Sequence, residues 1–179
     1  MTQGRADPMP IAINNLFGVN KEYSQVGKNI AEVISANLER TGLFAPIEKK
    51  AFIKEVAGLD TRPTFTNWKV LNAQAMVHGR VVIKDDGRLN VQFRLWDVFA
   101  EQQMVGNAYF TTPKNWRRIA HIMSDLIYKR ITGENGYFDT RIVYISESGP
   151  KDKRQKRLAI MDQDGANHRF LTDGADLVL

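Results

Sequence analysis

The sequence predicts an α/β (α+β) domain, a mixed sheet with two long helices packed on it, followed by a short run of strands of a different character. Three observations predict it. A three-strand meander with tight turns occupies residues 75–112, two stretches carry apolar residues at helical spacing, and the pattern changes after Gly136. The chain has 179 residues, 43% hydrophobic and 25% charged, ordinary proportions for one globular domain with an appendage.

The elements follow in order. Pro8 and Pro10 stand before Ile11-Ala12-Ile13-Asn14-Asn15-Leu16-Phe17, read as a first strand ending in a loop at Gly18. Ser24 is placed to cap a helix whose stripe is Val26, Ile30, Val33, Ile34 and Leu38, and Gly42 suits a left-handed residue closing it. Residues 43–48 make a second strand. After a less legible stretch, Thr66 or Asn67 caps a short helix over residues 68–73.

The meander comprises strands at 75–84, 88–99 and 102–112. A three-residue loop Asp85-Asp86-Gly87, with Gly87 left-handed, sets Ile83 opposite Leu89, Val81 opposite Val91, Gly79 opposite Phe93 and Val77 opposite Leu95. A turn centred on Ala100-Glu101 then places Val91, Phe93 and Leu95 opposite Phe110, Ala108 and Gly106. Pro113 opens the next helix. Trp116, Ile119, Ala120, Met123, Leu126, Ile127 and Ile131 form its apolar stripe and Gly133 ends it. Lys114, Arg117, Arg118, His121, Asp125, Lys129 and Arg130 lie on the other face. Strands are expected at 141–147, 158–162 and 168–171. The polar loop 151–156 and the turn Gln163-Asp164-Gly165-Ala166 join them, too little on their own for independent stability.

Composition excludes several classes. No apolar run is long enough to span a membrane, and the first residues lack the apolar core of a signal peptide. With no cysteine there is no disulfide, thiolate metal site or cysteine nucleophile. His78, His121 and His168 show no metal-ligand spacing and are read as surface or edge histidines. Asp162-Gln163-Asp164-Gly165 opens like a calcium loop, but Asp173 stands where the loop needs glutamate, so turn chemistry is the better reading. Asp85 and Asp86 read as turn residues, and Asp97 as a partner for a basic neighbour. Neither a phosphate-binding glycine loop nor a nucleophile–base pair is visible, so no enzyme, cofactor or metal is expected.

The net charge of +5 keeps one alternative open, a basic nucleic-acid-binding module. Its phosphate contacts would be Lys114, Arg117, Arg118, Lys129 and Arg130 on the helix, with Lys151, Lys153, Arg154, Lys156 and Arg157 in the loop. RNA readers interleave such cations with exposed aromatics, whereas Trp116 falls on the apolar stripe and Phe93, Tyr109 and Phe110 belong to strands.

Two stretches carry a family likeness. Ile131-Thr132-Gly133-Glu134-Asn135-Gly136-Tyr137-Phe138-Asp139-Thr140-Arg141-Ile142-Val143-Tyr144 resembles the junction in the TolB family where the last helix of the N-terminal domain passes into the first propeller strand. Lys156-Arg157-Leu158-Ala159-Ile160-Met161-Asp162-Gln163-Asp164-Gly165-Ala166-Asn167 is similar to that family's first-blade hairpin. His78-Gly79-Arg80-Val81, Leu95-Trp96-Asp97-Val98 and Leu38-Glu39-Arg40-Thr41-Gly42-Leu43-Phe44 agree in order and spacing. The resemblance implies residues 1–135 as the N-terminal α/β domain and 136–179 as the start of the first blade of a β-propeller, a partial blade here. It also implies a periplasmic, non-catalytic adaptor of the Tol-Pal system, working in outer-membrane integrity, cell division and protein transport. Its protein partners would be TolA, met through the N-terminal segment (Thr2, Gln3, Gly4 and Arg5 resemble that segment's tail), and the lipoprotein Pal, met through the propeller. Neither a small-molecule substrate nor membrane insertion is implied.

Overall fold

Ile11, Ala12 and Ile13 are all buried, which marks a strand covered on both faces, and strand β1 (Met9–Ile13) does lie inside a sheet. The computed structural model describes residues 7–53, 56, 58–151 and 153–174. They divide into two compact units, with the boundary between Gly136 and Tyr137.

In the first unit the remaining strands are β2 (Phe17–Gly18), β3 (Phe44–Pro46), β4 (Ala75–Ile83), β5 (Leu89–Asp97) and β6 (Gln102–Thr111). The order across the sheet is β3-β1-β4-β5-β6, with β2 also on β4. β1 runs parallel to β3 and β4, and β4-β5-β6 is the antiparallel meander. The expected first strand is therefore two pieces. Both the backbone N–H and the side-chain amide of Asn14 donate to the Val77 carbonyl, so the chain leaves regular pairing there and rejoins β4 at Arg80. Pro10 is tolerated inside β1 because the ladder to β4 begins with its carbonyl, which accepts from Gln74 N–H at 2.9 Å.

Helices α1 (Lys21–Arg40) and α3 (Trp116–Thr132) cover one face and pack on each other. Asn20, not Ser24, caps α1: its side chain accepts from Tyr23 N–H at 3.0 Å, while the Ser24 hydroxyl donates to the Gly18 carbonyl. Gly42 and Gly133 end the two helices in left-handed conformation as expected. Gly27 of α1 is fixed by close approach, since a Cβ there would lie 2.0 Å from the Leu16 carbonyl oxygen.

A layer not foreseen covers the opposite face. Phe65 and Trp68, one turn apart on helix α2 (Phe65–Lys69), pack with Ala12, Met76, Trp96 and Val98, flanked by Ile47, Phe52 and Leu71. This packing sets the helix earlier than its polar residues suggested. Thr64 occupies the N-cap without a side-chain hydrogen bond, so neither Thr66 nor Asn67 caps it.

The β4–β5 register is the expected one, Ile83↔Leu89 through Val77↔Leu95, with Gly87 left-handed. The β5–β6 register is not. A bulge between Leu95 and Trp96 pairs Val91 with Tyr109, Phe93 with Asn107 and Leu95 with Val105. One extra residue turns Tyr109 onto the helix-covered face, where its ring stacks on Phe93 at 6.4 Å, and leaves Phe110 outside, 53% exposed.

The second unit is an antiparallel meander of β7 (Arg141–Ser148), β8 (Gln155–Asp162) and β9 (Arg169–Phe170). Its turn at Asp162–Ala166 has Gly165 left-handed.

Candidate functional site

The residues singled out for partner binding, Thr2, Gln3, Gly4 and Arg5, lie outside the described residues. The other candidates have definite places, and most are structural.

His78 and His121 are not surface histidines. His78 is fully buried on the α2 side of the sheet. Its Nε2 accepts from the Trp96 indole N–H at 2.9 Å, so its Nδ1 carries the proton and donates to the Gly58 carbonyl at 3.2 Å. Burial drives its pKa from 6.5 down to about 4. Its ring is neutral at physiological pH, and both nitrogens are engaged.

His121 does not share the basic face of α3. It is buried against α1 within a polar cluster. The Asn37 amide donates to His121 Nδ1 and to Ser124 Oγ, both at 2.9 Å, and accepts from Arg40 at 2.6 Å; Ser124 Oγ donates on to the Ala120 carbonyl. Sequence periodicity set His121 on the polar face of its helix and gave Asn37 and Ser124 no role. Their partner is the other helix. His168 is exposed, as expected.

The carboxylates serve turns. Asp86 accepts from Arg88 N–H and pairs with its guanidinium at 2.7 Å, which holds its carboxyl below the usual range. Asp97 accepts from Ala100 N–H at 2.8 Å and so closes the β5–β6 turn, and among the described residues no cation pairs with it. Asp164 accepts from Ala166 N–H, and Asp162 from the Asn167 amide.

Among the cations of the second unit, Arg154 and Lys156 share Glu147, at 2.6 and 3.7 Å, and Arg157 lies 4.1 Å from the Phe170 ring centroid. Lys114 in the turn before α3 and Arg118, Lys129 and Arg130 on it are exposed, and Arg117 is half-buried with its guanidinium over Trp116. Trp116 itself is half-buried at the edge of its stripe.

A groove absent from the sequence reading runs between α3 and the sheet edge. It has a volume of about 440 Å³ and is lined by Asn107 and Tyr109 of β6, Ile122, Asp125, Leu126 and Lys129 of α3, and Asn135 and Gly136. The bulge at Leu95 makes it, by bringing Tyr109 and Asn107 to this side. No helix among the described residues is long and apolar enough to cross a membrane.

The TolB amino-terminal domain family matches residues 1–104, more than half of the chain. The chain belongs to the TolB family. A curated relative, the Tol-Pal system protein TolB of Paramagnetospirillum magneticum, is 55% identical over all 179 residues, and the chain spans 40% of that relative's length. The crystal structure of TolB from Acinetobacter baumannii shares the fold at 22% identity, with a TM-score of 0.75 over 93% of this chain and 39% of that one. The fold class is therefore the TolB one, a mixed α/β sheet domain followed by a partial propeller blade. The TolB-like stretch 131–144 covers the end of α3, its Gly133 cap and the start of β7; the stretch 156–167 covers β8 and its following turn.

Proposed function

We propose that this chain is the N-terminal part of a periplasmic adaptor of the Tol-Pal system, acting by protein contact and not by catalysis. The observation carrying the reading is the 55% identity across the whole chain to a Tol-Pal system protein TolB. The chemistry supports it: His78 and His121 are bound into the interior, and Asp86, Asp97 and Asp164 hold turns, so these candidate acids and bases have structural work. In this reading, residues 1–135 carry the adaptor domain and 136–179 open the propeller. Thr2, Gln3, Gly4 and Arg5 contact TolA as an extended strand-forming segment, Pal binds the completed propeller, and the assembly supports envelope integrity and constriction at division.

The test uses the protein from its full reading frame, with and without residues 2–5, immobilised against the soluble part of TolA and against Pal. Loss of TolA binding with Pal binding retained is the expected result. A parent protein that binds neither removes the adaptor reading, and TolA binding that survives the deletion moves the contact elsewhere.

The rival nucleic-acid reading draws on the exposed cations of α3 and on Arg88, whose guanidinium lies 5.4 Å from the ring centroid of exposed Phe110. Titration of a generic duplex at rising salt separates the two. A phosphate binder loses affinity steeply with salt, and an adaptor shows no such binding.

A further inference from the structure

The two edges of the six-stranded sheet are unlike. β3 has three residues and includes Pro46, two common defences against unwanted pairing. β6 is ten residues long, and Gln102-Gln103-Met104-Val105-Gly106-Asn107-Ala108-Tyr109-Phe110-Thr111 contains no charge and no proline. Its bulge, whose extra residue is Met104 of β6, lies near the start of the strand and leaves Val105–Thr111 regularly paired.

Hydrogen-bond alternation says which groups the edge offers. Lys84 N–H bonds to the Arg88 carbonyl, so Asn90, Gln92 and Arg94 direct their backbone groups to β4, and Val91, Phe93 and Leu95 direct theirs to β6. With Val91 opposite Tyr109 and Leu95 opposite Val105, the backbone groups of Met104, Gly106, Ala108 and Phe110 point away from the sheet. Two of them are occupied: the Met104 carbonyl accepts from Arg130 at 3.0 Å, and Ala108 N–H donates to the Asn107 side chain at 2.9 Å. Gly106 and Phe110 are both exposed.

The groove beside this edge supplies pockets for alternate side chains of an added strand. Ile122 and Leu126 make its apolar centre, with Lys129 one turn on and Arg118 one turn before Ile122. Arg130 stands at the edge itself. Among the lining residues Asp125 is the acid and Lys129 the base, and the Asp125 carboxylate lies close to Gly136.

We infer that the β6 edge is a strand-addition site for an extended segment of a partner protein, with an apolar side chain at its centre and acidic side chains on either side of it. Charge decides against a second copy as the occupant. Antiparallel pairing of two β6 strands about a two-fold axis would put both α3 helices on the same sheet face, with Arg118, Lys129 and Arg130 of each copy brought together. An acidic segment meets the same cations favourably. The inference is independent of the Tol-Pal reading, and either can fail alone.

The probe is a seven-residue peptide of threonines with glutamate, valine and glutamate at positions two, four and six, beside a counterpart with lysine for glutamate. Amide chemical shifts of the full chain report the site. The acidic peptide shifts and protects the amides of Gly106 and Phe110, and the lysine peptide binds at least about tenfold more weakly at low salt, a gap that closes as salt rises. Gly106→Pro removes one outward N–H without removing a side chain and weakens the acidic peptide about tenfold. Lys129→Glu leaves the strand untouched and weakens it about fivefold at low salt. The inference is overturned if the β6 amides do not move, if both peptides bind alike, or if a folded Gly106→Pro variant binds as the parent does. It is overturned also if sedimentation shows a dimer that Gly106→Pro dissociates, since the edge then takes a second copy.

Discussion

His78 joins two elements that are distant in sequence, accepting from Trp96 of β5 and donating to the Gly58 carbonyl. Its neutral ring suits both partners, and its charged ring suits neither the burial nor the indole donor. Its pKa falls from 6.5 to about 4 on folding, so between those values the unfolded chain holds the proton and the folded chain does not. Stability is therefore full above pH 6.5 and declines as pH falls toward 4, by an amount on the order of 3 kcal/mol. Urea unfolding of the protein and a His78→Gln variant across this range checks it: the parent curve slopes and the variant's slope is smaller. The Asn37–His121–Ser124 cluster is a second residue-scale case. Asn37→Ala leaves buried partners unsatisfied and costs about 1–3 kcal/mol. A cycle with Ser124→Ala measures a coupling of roughly 0.5 kcal/mol or more, because the two share one hydrogen bond. Additive losses would mean that the bond contributes nothing.

At the scale of elements, α1 shows packing overruling propensity. In a bare helix, Gly27→Ala gains about 1 kcal/mol. Here the added Cβ would sit 2.0 Å from the Leu16 carbonyl oxygen, a backbone atom that cannot turn aside, and Leu16 N–H also leans on the Gly27 carbonyl at 3.4 Å. The clash wins, and the variant is expected to lose roughly 1–3 kcal/mol in chemical denaturation. A gain in stability would show that the Asn14–Leu16 crossing moves freely. The same crossing explains why the stretch 11–17, expected as one strand, becomes two short strands. Asn14 attaches to Val77, and Gly27 lets the chain pass under the helix before β2 rejoins β4.

For the whole molecule, the two compact units differ in how much interior each owns. The first has a sheet covered on both faces, by α1 and α3 on one and by the Phe65–Trp68 layer on the other. The second is a three-strand meander in which Ile142, Val143, Ile145 and Phe170 are exposed. A chain ending at Gly136 is expected to unfold in one cooperative transition, and the segment 137–179 alone to show no cooperative transition. Circular dichroism melts of both fragments test this, and a cooperative melt for the short segment would contradict it.

Local pattern alone determined the two long helices, the meander, the Gly87 hairpin with its register, and the change of character after Gly136, because each rests on a repeat or turn preference spanning a few residues. The family likeness was legible for the same reason, in contiguous motifs such as 131–144. What only the tertiary structure decided depends on residues far apart in the chain. His78 and His121 looked like surface groups until Trp96 and Asn37 came beside them. Residues 49–64 lack periodicity because they lead into a layer of Phe52, Phe65 and Trp68 that needs only the sheet to pack against. The bulge at Leu95 inserts one residue that no alternation pattern reveals, yet it decides which side chains of β6 face α3, and so creates the groove. Hydrophobic period fixes what an element is; which of its faces meets what is fixed by the elements it packs on.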